Sequence, residues 1–313
     1  MKIEKLDNGV IENDKIVQVV KMGHLVEVQY MKNRNNKMPI QVLDKNYYLH
    51  LETGEIKEFN HIENRSQLTE SLRRTFKELR YYINNNFYGF ANELFLTLTY
   101  AENMTDNKRL MRDFETFFKT LKRKYKDVST IDYINVVEPQ DRGAWHCHVL
   151  LRFNDLDSIF IRNEDMRSIW KHGFVTVRSM QNVDNIGAYL SAYLADIELT
   201  LETVGMLKTG DEVSTKIVDG VEKKFIKGGR LHMYPPKMRI YRCSKGISKP
   251  TKEFMKHDKI KKVVGNATPH YSQTITVTDD DKKVLNTIIY NQYNLKRQNL
   301  QSEENNKKQN SKA

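Results

Sequence analysis

Two alternating runs joined by a short polar segment constrain this chain more than any other feature. Ile131-Asp-Tyr-Ile-Asn-Val-Val-Glu138 reads as one strand, and the apolar run Trp145-His-Cys-His-Val-Leu-Leu-Arg152 reads as the next. A strand turns residues i and i+2 to the same face. His146, His148 and Leu150 therefore point one way, while Trp145, Cys147, Val149 and Leu151 point the other. In an antiparallel hairpin centred near Arg142, Glu138 lies across from His146 on the histidine face. Two imidazoles and a carboxylate then converge on one point. Three protein ligands with coordination positions left open describe a catalytic metal site better than a structural one. For His-x-His taken alone, the plainer alternative is a pair of solvated or hydrogen-bonded histidines on an exposed strand.

The 313 residues suffice for one large domain or two small ones. Fifty-one Lys and Arg against forty Asp and Glu leave a net charge of +11. That excess favours a polyanionic partner, nucleic acid or an anionic membrane surface. No run of about 18 apolar residues exists, so membrane insertion is not expected. The charged start, Met-Lys-Ile-Glu-Lys-Leu-Asp-Asn, lacks the apolar stretch of a signal peptide. The two cysteines, Cys147 and Cys243, form no Cys-x-x-Cys motif, which excludes a zinc ribbon or a disulfide framework. Cys147, opposite the histidines, reads as a small core residue. A cytoplasmic location follows as the expectation.

Residues 1–60 hold short β-prone segments and read as an accessory β-rich region. Residues 61–200 read as the core. A helix is expected from about Ser66 to Asn84, with Arg73, Arg74, Lys77 and Arg80 on a stripe suited to phosphates, or else to solvent. Leu94 to Tyr100 alternates as a strand, with Leu94, Leu96 and Leu98 facing the core and Thr97 and Thr99 turned away. Thr105 or Asp106 caps a long amphipathic helix that carries Leu110, Phe114, Phe117 and Leu121. Asn163 is expected to cap a helix ending at Lys171-His172-Gly173, with the glycine at its C-terminal turn. Phe174 to Arg178 reads as a strand, and Asp184 to about Leu199 as a helix. The order predicts an α+β fold, a central antiparallel sheet with helices packed on one face. Residues 201–293 read as a hairpin insertion around Asp219-Gly220, followed by a basic and aromatic extension in which Arg230, Arg239 and Arg242 are candidate DNA contacts. The polar tail 294–313 is expected to be disordered.

Tyr189 and Tyr193 stand four residues apart, one above the other on a helical face. Such pairs are usually packing residues. The chemical alternative is a nucleophile, which at a phenol pKa of about 10 needs activation.

Phe95-Leu-Thr-Leu-Thr-Tyr100, Glu138-x7-His146-Cys-His148 and Gly187-Ala-Tyr189-Leu-Ser-Ala-Tyr193, in that order, resemble the three motifs of the HUH endonuclease superfamily. Within it they look like the two-tyrosine replication initiators of rolling-circle plasmids and phages. The resemblance covers roughly residues 90 to 200. It implies an HUH palm in which His146, His148 and Glu138 hold a divalent metal. Mn²⁺ or Mg²⁺ suits the mixed nitrogen and oxygen donors, and Zn²⁺ or Co²⁺ is also admitted. It implies Tyr189 as the nucleophile and Tyr193 as the second tyrosine. The implied activity is site-specific nicking and joining of single-stranded or hairpin origin DNA. Host helicase and polymerase would be partners, since no Gly-x4-Gly-Lys-Ser/Thr loop occurs, and a homodimer is compatible with it. One departure stands out. Members often carry lysine three residues after a motif tyrosine, whereas Ala192 and Asp196 occupy those positions here. Lys171, His172, Arg178 or Asp196 are the candidates to compensate. A paired-tyrosine transposase and a non-enzymatic basic DNA-binding regulator are the alternatives, with RNA binding behind them because it leaves the motif order unexplained.

Overall fold

The structure, a computed structural model, describes residues 2–34, 40–51, 53–59, 69–140, 143–183, 185–187, 196–200, 203–206, 213–218, 221–226, 229–230, 233–235 and 238–297. Its contacts divide into two compact units, Met1–His61 with Pro250–Ala313, and Ile62–Lys249.

The first unit begins with β1 (Lys2–Asp7), β2 (Ile16–Met22), β3 (Leu25–Met31) and three short strands, β4 (Ile40–Val42), β5 (Tyr47–His50) and β6 (Ile56–Glu58). The second unit then runs α1 (Thr69–Asn86), β7 (Glu93–Tyr100), α2 (Asn107–Lys124), β8 (Ile131–Pro139), β9 (Trp145–Phe153), α3 (Asn163–Trp170), β10 (Gly173–Ser179), β11 (Ile197–Glu198), β12 (Val213–Val218), β13 (Val221–Ile226) and β14 (Tyr241–Cys243). The chain returns to the first unit with β15 (Thr251–Lys256), β16 (Tyr271–Thr278) and β17 (Val284–Asn294). These complete a six-stranded sheet of order β1-β16-β17-β3-β2-β15. Val17, Val19, Val26, Val28 and Ile289 pack into its own core. The N-terminal strands thus share a sheet with C-terminal strands that the sequence reading assigns to a separate extension.

In the second unit a five-stranded antiparallel sheet has the order β10-β7-β9-β8-β14. The alternation in β7 and β9 decides what each face does. Leu96 and Leu98 pair with Val149 and Cys147 and are fully buried. Phe114 and Phe118 of α2 meet Tyr133 on this same face. The stripe Leu110, Phe114, Phe117 and Leu121 recurs at four- and three-residue steps, as burial of one helix face demands. Each such side chain contributes on the order of 1.5–3 kcal/mol when removed from water. Asp106 caps α2, its carboxylate accepting from the Lys108 and Arg109 amides, a contact typically worth about 1 kcal/mol.

Several expectations need correction. Helices do not cover one face alone. The Tyr82 ring of α1 lies 5.9 Å from that of Tyr241, and Tyr241 pairs with Val136 on the histidine face. Asn163 is the first residue of α3, not its cap, and its side chain accepts instead from the Val177 amide. The left-handed residue ending α3 is Lys171 (φ 65°), not the glycine. Gly173 is needed for another reason: a Cβ there would come within 2.4 Å of the Thr99 carbonyl oxygen and the Ala101 nitrogen. The helix expected to reach Leu199 stops short of that point, because Ile197 and Glu198 pair with Ile226 and Phe225 as strand. β12 and β13 form a hairpin in which Val218 opposes Val221. From residue 298 onward the polar tail lies outside the described residues. No described helix is long and apolar enough to cross a membrane.

Candidate metal centre

Cross-strand pairing builds the site. In β8 and β9, Glu138 pairs with His146 and Val136 with His148. In β7, Thr99 pairs with His146 and Thr97 with His148. Paired residues share a face, so Thr97, Thr99, Glu138, His146 and His148 project together. Cys147 between the histidines is fully buried on the other face, where burial pushes its thiol up to about 12 and leaves it unreactive.

Glu138, His146 and His148 each offer one ligand atom, all within 4.8 Å of one another. Metal bonds to nitrogen and oxygen are about 2.0–2.2 Å long. Small side-chain rotations therefore bring the three donors onto one ion, and the donor set of two imidazoles and a carboxylate suits a divalent cation. His148 Nε2 is hydrogen-bonded to Glu138 Oε2. Its other nitrogen, Nδ1, lies 3.4 Å from Thr97 Oγ1. The tautomer that frees Nε2 for a cation carries its proton on Nδ1, where the threonine accepts it, an outer contact that fixes ring orientation. The Phe95 ring stacks on His148, centroids 5.6 Å apart and nearly parallel, and restricts that ring further.

Arg230 completes the cluster. Its Nη1 donates to Glu138 Oε1 and, at 3.2 Å, to the Pro139 carbonyl. Its Nε donates to the Asp196 carbonyl at 3.1 Å. Glu138 thus has one oxygen on the guanidinium and the other turned to the histidines. Burial alone would raise the Glu138 carboxyl. The His148 hydrogen bond and the charges of His148, Arg230 and His146 outweigh it and hold the group below the usual carboxylate range.

Tyr189 and Tyr193 lie outside the described residues. Both flanks of their segment are described and anchored. The Gly187 amide donates to Asn84 Oδ1 of α1 at 2.9 Å, and a Cβ on Gly187 would meet that same oxygen at 2.6 Å. On the other flank stands the Asp196 carbonyl held by Arg230.

The remaining candidates scatter. Arg74 is exposed on α1, and Lys77 and Arg80 lie over the Tyr81 ring. The Arg73 side chain is outside the described part. Lys171 is exposed at the end of α3, and Arg178 is exposed opposite Phe95 at the sheet edge. His172 does not approach the cluster. Its Nε2 lies 3.7 Å from Asp113 of α2 and its ring packs beside Tyr100 and Trp170, across the sheet from the histidines. Arg242 lies 3.6 Å from Glu115, and Arg239 is exposed just before β14. Sequence reasoning places Arg230 among DNA contacts and misses its bond to Glu138, because 92 residues separate the two. Phe95 carries a signal that is available, since it alternates onto the histidine face with Thr97.

Residues 93–198, which span β7 to β11 and include all three cluster residues, match the family of replication-associated proteins of the ORF2 type. The chain is also 30% identical over 133 residues to the Phasyl DNA replicon protein arp of Escherichia coli, an alignment covering 34% of this chain and 45% of that protein. The chain therefore matches less than half the length of this curated relative, and its central segment is similar to proteins of DNA replication.

Proposed function

We propose that this chain is a replication initiator that nicks and rejoins single-stranded DNA at an origin, through a 5′-phosphotyrosine intermediate and with a divalent cation at Glu138, His146 and His148. The observation that carries this reading is the convergence of those three donors on one sheet face, within a segment similar to replication-associated proteins. A bound divalent ion, Mn²⁺ or Mg²⁺, would supply Lewis-acid polarisation of the scissile phosphate. The chain's own residues do the rest. Thr97 and Phe95 hold the His148 ring, and Arg230 holds the outer oxygen of Glu138, so the donors are arranged before substrate arrives. Tyr189 is the nucleophile of this reading. Its phenolic oxygen bonds to phosphorus while the bond from phosphorus to the 3′ oxygen breaks. The phenol proton goes, in balance, to the departing 3′ hydroxyl. One phosphodiester replaces another, so the step is reversible and a later hydroxyl can release the tyrosine. Tyr193 takes the second strand when the fork returns, and strand separation falls to a host helicase in the cytoplasm.

The test is covalent capture. Wild-type chain with a single-stranded origin oligonucleotide and Mn²⁺ gives a protein–DNA adduct resistant to denaturation. Tyr189→Phe with Tyr193→Phe abolishes it, and persistence of the adduct in that double variant would refute the nucleophile assignment. His146→Ala with His148→Ala removes cleavage while oligonucleotide binding remains, and undiminished cleavage would reject the cluster.

A further inference from the structure

The open edge of the five-stranded sheet carries a feature that the metal centre does not use. Beside β14 lies a cleft of about 680 Å³ lined by Tyr82, Tyr133, Tyr241, Arg239 and Arg242. A second cleft of about 490 Å³ shares Met238, Arg239 and Arg242 with it and adds Lys108 and Arg112 of α2. Together they form a continuous groove around an edge strand. Tyr82 and Tyr241 stand on the histidine side of the sheet, their rings 5.9 Å apart. Tyr133 stands on the α2 side, against Phe118. All three are half-buried, so each is fixed by packing yet keeps part of its ring open to the cleft.

The charge is one-sided. Among the described lining residues, Lys108, Arg112, Arg239 and Arg242 face a single acidic group, Glu115, which is paired with Arg242 at 3.6 Å. A fifth cation, Lys249, lies over the Tyr82 ring at 5.6 Å. The Arg242 Nε is buried without a hydrogen-bond partner among the described residues. Burial keeps the Tyr241 hydroxyl neutral by pushing it up to about 12, so it adds no negative charge.

We propose that this groove binds single-stranded DNA, with unpaired bases against the tyrosine rings and phosphates on Arg239, Arg242, Lys108 and Arg112. Aromatic faces interleaved with cations are the pattern by which proteins hold unpaired strands. A duplex hides its base faces by stacking and cannot use those rings. Register connects the groove to the metal centre. Tyr241 pairs with Val136, two residues before Glu138 on the same face of β8. The groove therefore opens about 7 Å along the strand from the carboxylate. A strand lying in it leads directly to the cluster. The inference deepens the nicking reading and rests on it for the choice of DNA, while its test does not require cleavage.

The experiment is fluorescence anisotropy of a labelled oligo-dT with the full chain and no added metal. Tyr241→Ala and Tyr82→Ala each weaken single-strand binding about tenfold, the loss expected from one stacked base. Tyr82→Trp, which keeps an aromatic face, retains affinity and guards against a folding artefact. Arg239→Ala with Arg242→Ala reduces the slope of log affinity against log salt by about 1.4, from two phosphate contacts on a single strand. His146→Ala with His148→Ala leaves all of this unchanged, which separates the groove from the cluster. The proposal is overturned if folded alanine variants bind oligo-dT like wild type, if duplex DNA loses as much affinity as the single strand, or if the histidine variant loses the binding instead. An oligo-rU of equal length bound more tightly than oligo-dT overturns the assignment to DNA.

Discussion

Replacing Arg230 with methionine tests the centre of the site most directly. Methionine keeps much of the side-chain length and removes the guanidinium. Arg230 and Glu138 are only 16% and 8% exposed at their side chains. Exposed ion pairs are worth about 0.2–1 kcal/mol, but these exposures place the pair in the buried class. Removing one partner of a buried pair costs about 3–5 kcal/mol because a charge is left uncompensated. His148 still holds the other oxygen of Glu138, which places the expected loss near the lower end, about 3 kcal/mol. A domain stable by about 5–15 kcal/mol survives that loss. The assay is urea unfolding in chelator, followed by tryptophan fluorescence. Both tryptophans, Trp145 and Trp170, belong to the unit that holds the site, so the signal reports that unit. In a double-mutant cycle, Arg230→Met in a Glu138→Gln background costs clearly less than in wild type, with a coupling of about 1–3 kcal/mol. Additive losses, or an Arg230→Met loss below about 0.5 kcal/mol, the level of an ordinary surface change, would refute the reasoning.

Two further outcomes follow from the same sheet. Burial raises the Asp132 carboxyl, but hydrogen bonds from Ser244, Asn154 and Arg152 outweigh it and hold its pKa below the usual carboxylate range. A carboxylate depressed in the folded state stabilises above its unfolded pKa of about 3.9 and loses that contribution as pH falls through the folded value. The gap in unfolding free energy between wild type and Asp132→Asn is therefore steady at neutral pH and shrinks below about pH 4, and an equal gap at pH 7 and pH 3 would contradict this. Gly173→Ala places a methyl within 2.4 Å of β7 backbone atoms, which cannot move aside as a flexible side chain would. It should destabilise by about 1–3 kcal/mol and displace Thr99, which pairs with His146. Wild-type stability and cleavage in that variant would show that the close approach relaxes freely.

What the sequence discloses and what it withholds divide along contact range. The hairpin register is legible because period-two alternation fixes faces, and Glu138 opposite His146 follows from centring the turn near Arg142. The cap at Asp106 is legible because capping is a contact of two or three residues. Three things are not. The end of α3 falls by local rules to the nearest glycine, but Gly173 serves a close approach across to β7, a constraint invisible along the chain. Ile197 and Glu198 continue a helical pattern locally, yet pairing with β13 overrides propensity. The pairing of β1 to β3 with β15 to β17 joins segments more than two hundred residues apart, and no local period announces it.

Arg230 shows the same limit at the centre of the site, and it bears on the missing lysine. The positions three residues after each tyrosine hold Ala192 and Asp196, so no cation is offered from the tyrosine segment itself at that spacing. The structure nevertheless has a cation bonded to the metal-site carboxylate, supplied from 34 residues beyond Asp196 and bonded to the Asp196 carbonyl as well. Arginine suits that post better than lysine. Its planar fork spans the Glu138 carboxylate and two backbone carbonyls at once, whereas an ammonium is a single point of charge on a flexible stem. A residue that touches both the carboxylate and the end of the tyrosine segment ties the position of one to the other. Arg230→Lys therefore keeps the charge but loses that tie, and it is the substitution that separates neutralising Glu138 from aligning the segment that follows Tyr193.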